Sequence, residues 1–382
     1  MKYLKSGISI VLMLGTLALS SCTRGASETT SEASSLSERQ AETTVEKTVS
    51  EVEKTSTVTK TPVKNPQGRG KVWYNFFDTV SYIYSYAGDS DELFNERTDS
   101  AADILYEYHK LFDIYYEYSG VNNLRTINLN AGGDPIKVDQ KLIDFLLYAK
   151  ELYGVTKGEM NIMMGSVLSI WHDARTAKTP YLPDRALLEE AYRHTSWESL
   201  EIDEENGTVR LLDPKASIDV GALGKGYATE MAGRYLEEIG ATSYVLNIGG
   251  NIRIVGTKLD GSGWRTGIKD PKNPDNAFKV ELTIADCACV TSGSYEKYFV
   301  LDGVRYNHVI DRDTLAPAVY FDSLTIITDD SGLADALSTA LFCMSYEDGL
   351  ELTQSLGNVD VIWIFRDGSV KYTKGIESRI NK

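Results

Sequence analysis

Three groups of residues have the types and spacing to do chemistry. Ser217 to Glu230 reads Ser-Ile-Asp-Val-Gly-Ala-Leu-Gly-Lys-Gly-Tyr-Ala-Thr-Glu, an apolar run ending in Asp219, three glycines around Lys225, then a helical pattern through Tyr227, Met231, Tyr235 and Leu236. Glycine lets backbone N–H groups approach an anion closely, a helix N-terminus adds about half a positive charge, and Lys225 adds a full one. Phosphate binding is therefore expected, although a plain strand-to-helix turn with a surface lysine has the same look. The spacing is neither that of a Walker loop nor that of a dinucleotide fingerprint. In Ala334 to Ala340, Asp335 and Thr339 lie four residues apart and share one helix face. A carboxylate and a hydroxyl are hard ligands that suit Mg²⁺ beside phosphate oxygens, while an Asp near a helix start also simply complements the dipole. In Asn307 to Asp311, His308 is expected on a strand with Asp311 three residues on. It reads either as a satisfied core residue or as a general base or phosphate contact.

The elements that must position these groups are legible in outline. Lys71–Ala87 has strand composition, with Tyr82, Tyr84 and Tyr86 alternating against Ser81, Ile83 and Ser85. Helices are predicted over 100–118, 139–153, 184–197 and 333–344, with an apolar helix or turn over 158–171. Short strands separated by Gly, Asp and Asn are predicted from residue 200 onward, including Ser217–Val220, Ser243–Ile248, Ala288–Ser292, Asn307–Ile310 and Leu324–Thr328. Helices early and strands late predict an α+β fold with a largely antiparallel sheet. The aromatic cluster Phe112, Tyr115, Tyr116 and Tyr118 reads as core or as a ring-binding surface, and the paired glycines of Asn247–Asn251 mark close backbone approach.

The bulk numbers narrow the class. A chain of 382 residues with net charge −16 has no basic stripe for a nucleic-acid surface. Residues 1–21 read as a secretory signal, with Lys2 and Lys5 ahead of an apolar core, and Leu19-Ser20-Ser21-Cys22 resembles a lipobox. That resemblance implies lipidation of Cys22 and a protein held at the outer face of the cytoplasmic membrane, or on the periplasmic side in a Gram-negative cell. Residues 22–70 are rich in Ser, Thr, Glu and Lys and are expected to form a disordered tether spanning on the order of 40 Å. Cys287, Cys289 and Cys343 remain, and the Cys-Ala-Cys pair reads as small core hydrophobes on one sheet face rather than a redox or metal site.

Taken in order, the motifs resemble those of the FAD:protein FMN transferase family, the ApbE-type flavin transferases. The resemblance runs from about Lys71 to the end, and its most specific elements are Asn247-Ile248-Gly249-Gly250, Thr291-Ser292-Gly293-Ser294-Tyr295, His308-Val309-Ile310-Asp311 and Ala334-Asp335-Ala336-Leu337-Ser338-Thr339-Ala340. It implies a T-fold-related domain over 71–382 that takes FAD as substrate, joins FMN by a phosphoester to a Thr or Ser of an exported acceptor protein, and releases AMP. It implies Mg²⁺ on Asp335, Thr339 and the Gly224 carbonyl, with Thr79, Tyr115, Glu159, Met160, Asn161, Asp219, Lys225, Thr291 and His308 around FAD. His308 is the implied proton acceptor, with Asp311 second. Departures from the family pattern are Phe77-Asp78-Thr79 for Met-Gly-Thr, Glu159-Met160-Asn161-Ile162 at the Phe-Asp-Ile turn, Gly224 for Ala, Ser294 for Asp, and Arg312 for Pro. The alternatives are FAD hydrolysis to FMN and AMP, or a flavin-binding surface lipoprotein without catalysis.

Overall fold

The computed structural model describes residues 63–65, 68–273 and 278–381. The signal segment, Cys22 and the tether up to residue 62 lie outside the described residues. The sheet begins earlier than Lys71: β1 (Val63–Asn65) pairs with β2 (Gly68–Phe76), so the last residues assigned to the tether belong to the fold. β2 returns through a tight turn at Phe77 and Asp78, both near φ +50°, into β3 (Thr79–Ser85).

Helices come next. α1 (Asp91–Phe112) starts nine residues, about two and a half turns, before the predicted 100–118 because Ser90 caps it, its side chain accepting from the Leu93 N–H at 3.2 Å. It stops at Phe112, which leaves Tyr115, Tyr116 and Tyr118 in a loop rather than on the helix. α2 (Leu124–Leu129), α3 (Gln140–Val155), α4 (Gly165–Thr176) and α5 (Arg185–Tyr192) follow, with a small sheet of β4 (Ile136–Lys137), β5 (Leu200–Asp203) and β6 (Thr208–Leu211). α6 (Gly224–Glu238) leads into β7 (Tyr244–Ile248) and β8 (Asn251–Val255). Three antiparallel pairs lie around β11 (Ala288–Gly293): β9 (Trp264–Lys269) with β10 (Phe278–Ile284), β12 (Tyr298–Leu301) with β13 (Val304–Asn307), and β14 (Ile310–Asp311) with β15 (Ala316–Pro317). β16 (Phe321–Thr328), α7 (Ser331–Cys343), α8 (Tyr346–Leu356), β17 (Asp360–Phe365) and β18 (Val370–Tyr372) close the chain.

The main sheet has nine strands in the order β1-β2-β3-β7-β8-β11-β16-β17-β18, every pair antiparallel. The fold is α+β as the sequence predicts. Period-2 alternation decides which layer each side chain joins. Tyr244, Leu246 and Ile248 pack with α1, α3 and α6, while Val245 turns to the opposite face and packs under the β9–β10 hairpin with Trp264, Leu282 and Ile284. Cys287 and Cys289 lie in that second core with burial raising both thiols, the Cys287 thiol to about 11, in keeping with the expectation of small core hydrophobes.

Two sequence expectations fail locally. Ser217–Val220 is not a strand: the Ile218 N–H donates to Asn128 Oδ1 at 2.8 Å, the Asn128 amide donates back to the Ile218 carbonyl at 2.9 Å, and the Asp219 N–H donates to the Ile162 carbonyl at 2.8 Å. These partners satisfy the backbone without a ladder. His308 lies in a bend between β13 and β14 rather than on a strand, because Asn307 Oδ1 takes the Val309 N–H at 2.9 Å and turns the chain.

The contact that fixes the site is between α6 and α7. At Gly226 a Cβ would collide with the Ser331 carbonyl and the Asp335 Cβ, so the helices approach as closely as backbone allows. Gly226→Ala is therefore expected to cost about 1–3 kcal/mol by overpacking, read as a lowered urea midpoint. An unchanged midpoint would mean the helices can part without cost.

Candidate active site

The functional side chains gather at a cleft of about 2900 Å³ lined by the N-terminus of α6 and by Asp335 and Thr339 of α7. α6 has no side-chain cap of its own. Instead Asp335 supplies one from α7: the Gly226 N–H donates to Asp335 Oδ2 at 2.8 Å, and Lys225 Nζ stands 3.8 Å from the same oxygen while donating to the Gly221 carbonyl at 3.2 Å. A carboxylate at a helix N-terminus is stabilised by the orphan N–H groups and the dipole. Asp335 is only 5% exposed, and the lysine and the helix end are its polar partners in a largely dry place.

A buried ion network holds the two helices in register. Glu230 on α6 accepts from the Ser331 N–H at 2.8 Å and faces Arg253 Nε at 3.2 Å and Arg234 Nε at 3.0 Å. Arg234 also reaches Asp330 at 2.8 Å, and Asp330 in turn caps α7 through the Leu333 N–H at 2.7 Å and accepts from the Tyr148 hydroxyl at 2.8 Å. None of these residues was singled out as functional from the sequence.

The metal ligands implied by the sequence, Gly224, Asp335 and Thr339, all line the cleft. The hydroxyl is one helical turn beyond the carboxylate, and Ser292 Oγ, 2.8 Å from Ser338 Oγ, ties this stretch of α7 to β11. Carboxylate, hydroxyl and backbone carbonyl are the hard oxygen donors Mg²⁺ takes, leaving room for waters and phosphate oxygens, so the residues fit that ion. Among the described residues no cluster of three or more His, Cys, Asp or Glu side chains forms a closed metal cage.

Of the residues expected around FAD, Thr79, Tyr115, Glu159, Asn161, Asp219, Lys225, Thr291 and His308 line the cleft. Met160 does not: it is fully buried in the main core, because the turn before α4 points it inward. Asp311, the second choice for moving a proton, is also off the cleft. Its Oδ1 accepts from the Asp313 and Thr314 N–H groups at 2.8 and 3.1 Å, so it holds a turn. Asn161 has a structural task as well, its amide donating to the Thr195 carbonyl at 3.1 Å and its Oδ1 accepting from the Met163 N–H at 2.9 Å. A carboxylate could not make the first bond. Ser294 is buried and donates to Asp322 Oδ1 at 3.1 Å, away from the cleft. Arg312 pairs with Glu159 at 3.2 Å, and burial lifts the Glu159 carboxyl above its ordinary value against that pairing.

The electrostatics of the cleft were not visible in the motifs. Burial pushes the Asp219 carboxyl up, opposed by the Gly221 N–H at 2.8 Å and the charges of His172, Lys225 and Lys297. Solvent reaches His308 through the cleft, yet the surrounding protein disfavours its charged form, and Lys297, Arg175 and Lys225 repel a proton further, bringing the imidazole down to about 3. The ring is neutral at pH 7. Arg175, His172 and Lys297 all line the cleft. Sequence reasoning missed them because they sit outside every recognised motif, Lys297 by a single residue.

An antiparallel sheet, the N-terminus of α6 and the Asp335–Thr339 face of α7 meet at this cleft, and solved structures that share the fold include flavin transferases. The model of the ApbE family matches residues 77–363, and the chain belongs to that family. The FAD:protein FMN transferase of Treponema pallidum is 31% identical over 271 residues, which is 67% of this chain and 74% of that protein. The FAD:protein FMN transferase of Vibrio cholerae is 29% identical over 67% of this chain and 76% of its own length. Among solved structures, the ApbE protein of Thermotoga maritima superposes with TM-score 0.73 at 24% identity, covering 85% of this chain and all of that one, and so supports the fold. The flavin transferase ApbE from Vibrio cholerae gives 0.68 at 25% identity over 80% of this chain and 97% of that one.

The four histidines permit a direct check of the cleft's field by NMR. The His308 ring is expected to stay neutral down to about pH 4, and Lys297→Gln, which removes a repelling charge, should move its midpoint up toward the ordinary value near 6.5. A wild-type midpoint already near 6.5 would contradict the assigned field.

Proposed function

We propose that this chain is a Mg²⁺-dependent FAD:protein FMN transferase, which moves FMN from FAD to a Thr or Ser hydroxyl of an exported acceptor protein and releases AMP. The observation that carries the reading is the joint placement of Asp335 and Lys225 at the N-terminus of α6, on a cleft large enough for a dinucleotide. The names of the relatives support flavin transfer as the reaction.

In this reading Lys225, the Gly221–Gly226 turn and the α6 dipole bind the pyrophosphate. Asp335, Thr339 and the Gly224 carbonyl would hold Mg²⁺, which when bound offsets charge on phosphate oxygens. Tyr115, half exposed at the cleft, offers a flat apolar face to one ring of the dinucleotide. His308, neutral at pH 7, has a free lone pair to accept the acceptor's hydroxyl proton. Anionic FAD offsets the repulsion from Lys297, Arg175 and Lys225, so binding raises the ring's basicity when it is needed.

Asp335→Ala should abolish transfer, read as the absence of an FMN-sized mass gain on a co-expressed acceptor domain, with the fold intact by circular dichroism. His308→Ala is expected to slow transfer by about 10²–10⁴-fold while FAD still binds; lost binding with normal turnover would make it a binding residue. Free FMN and AMP with an unmodified acceptor would move the assignment to FAD hydrolysis, and FAD left whole after hours with Mg²⁺ would make the chain a flavin-binding protein. Export and lipid attachment at Cys22 belong to the same proposal, and Cys22→Ala should shift the protein from the membrane to the soluble fraction.

A further inference from the structure

Lys225 is already engaged, by the Gly221 carbonyl at 3.2 Å and by Asp335 at 3.8 Å. Two other cations that line the cleft and act on His308 have no such carboxylate partner among the described residues. Arg175 is on α4, next to buried Ala174 and one helical turn beyond Trp171, whose indole N–H donates to the Leu315 carbonyl at 3.0 Å. The guanidinium faces the cleft with His172 Nδ1 as its hydrogen-bond partner at 3.3 Å, and the His172 ring in turn lies 5.7 Å from that of Tyr115. Lys297 stands at the base of the β12–β13 hairpin, where the pairing of Tyr298 with Asn307 brings it opposite His308. Among the described residues, neither Arg175 nor Lys297 has a carboxylate within ion-pair distance. The protein walls of the cleft and repulsion from Lys225 lower the Lys297 ammonium even though solvent reaches it, and burial lowers the Arg175 guanidinium.

We propose that Arg175 and Lys297 form a second anion clamp, separate from the glycine and Lys225 cradle, that takes the phosphate of the departing adenine nucleotide. The inference rests on the transferase reading. In that reaction the acceptor oxygen forms a bond to the FMN phosphorus, the bond from that phosphorus to the bridging oxygen breaks, the electron pair leaves with AMP, and the hydroxyl proton passes to His308. The bridging oxygen thereby becomes a terminal oxygen of a phosphate monoester, whose second ionisation lies near pH 6, so negative charge grows on the nucleotide side. Two cations without carboxylate partners answer that growing charge, adding to the hold that the Lys225 cradle has on the pyrophosphate as a whole. A guanidinium fork also matches a phosphate bidentately, and its hold on His172 limits the freedom lost on binding.

The test is calorimetric titration of AMP, adenosine and FMN into the full chain with Mg²⁺, for wild type, Arg175→Gln, Arg175→Lys and Lys297→Gln, with melting temperature as the folding control. AMP affinity is expected to fall about tenfold or more in each Gln variant, with adenosine and FMN changed by less than about twofold and Arg175→Lys recovering part of the loss. Unchanged AMP affinity, an equal loss for adenosine, an FMN loss as large as that for AMP, or a wild type that binds no AMP would overturn the clamp. If Arg175→Gln does not fold, solvent-exposed Lys297 carries the same comparison alone. A wild type that transfers flavin while its Gln variants bind AMP normally removes the clamp and leaves the transferase reading. One that binds AMP through these residues but transfers no flavin removes the reading and leaves the clamp.

Discussion

The site depends on one hydrogen bond and the absence of one side chain. The Gly226 N–H donates to Asp335, and only glycine lets α7 come close enough for that bond to form. The carboxylate then caps a helix that has no cap of its own, and it sits beside the lysine that the same helix start presents. Stability and chemistry share these atoms. Asp335 is more than nine-tenths buried, yet with Thr339 it still lines the cleft.

Around that bond the protein arranges charge in two tiers. The tier behind the helices, with Glu230, Arg253, Arg234 and Asp330, is closed: each charge has partners at hydrogen-bond distance, and the network fixes how α6 and α7 meet. The tier in front, with Arg175, Lys297 and Lys225 around His308, carries positive charge in excess. Removing one partner from the first tier leaves a buried charge alone, a penalty of about 3–5 kcal/mol. In the second tier Lys225 has Asp335 at 3.8 Å, whereas among the described residues Arg175 and Lys297 have no carboxylate at ion-pair distance, as on a surface that binds anions.

The departures from the family pattern are less disruptive in three dimensions than they look on the page. Asn161 and Ser294, each standing where a carboxylate is usual, are absorbed into local hydrogen bonds that an amide or a hydroxyl makes. Arg312 finds Glu159, so a new charge arrives together with a counter-charge. Gly224 in place of Ala leaves the backbone carbonyl at that position unchanged.

The sequence alone determined the α+β class, the alternation that splits Val245 from Leu246, the glycine and lysine turn, and the Asp335–Thr339 pair, because each depends on periodicity or on residues close in the chain. Only the tertiary structure decided that Met160 is core, that Asp311 holds a turn, that Ser217–Val220 satisfies its backbone through Asn128 and Ile162, and that Arg175 and Lys297 share a cleft with His308. Apart from the Asp311 turn, which is local, those facts arise from contacts between residues tens to more than a hundred positions apart. Local pattern carries no record of such pairings, since burial and electric field are set by whichever distant groups the folded chain brings alongside.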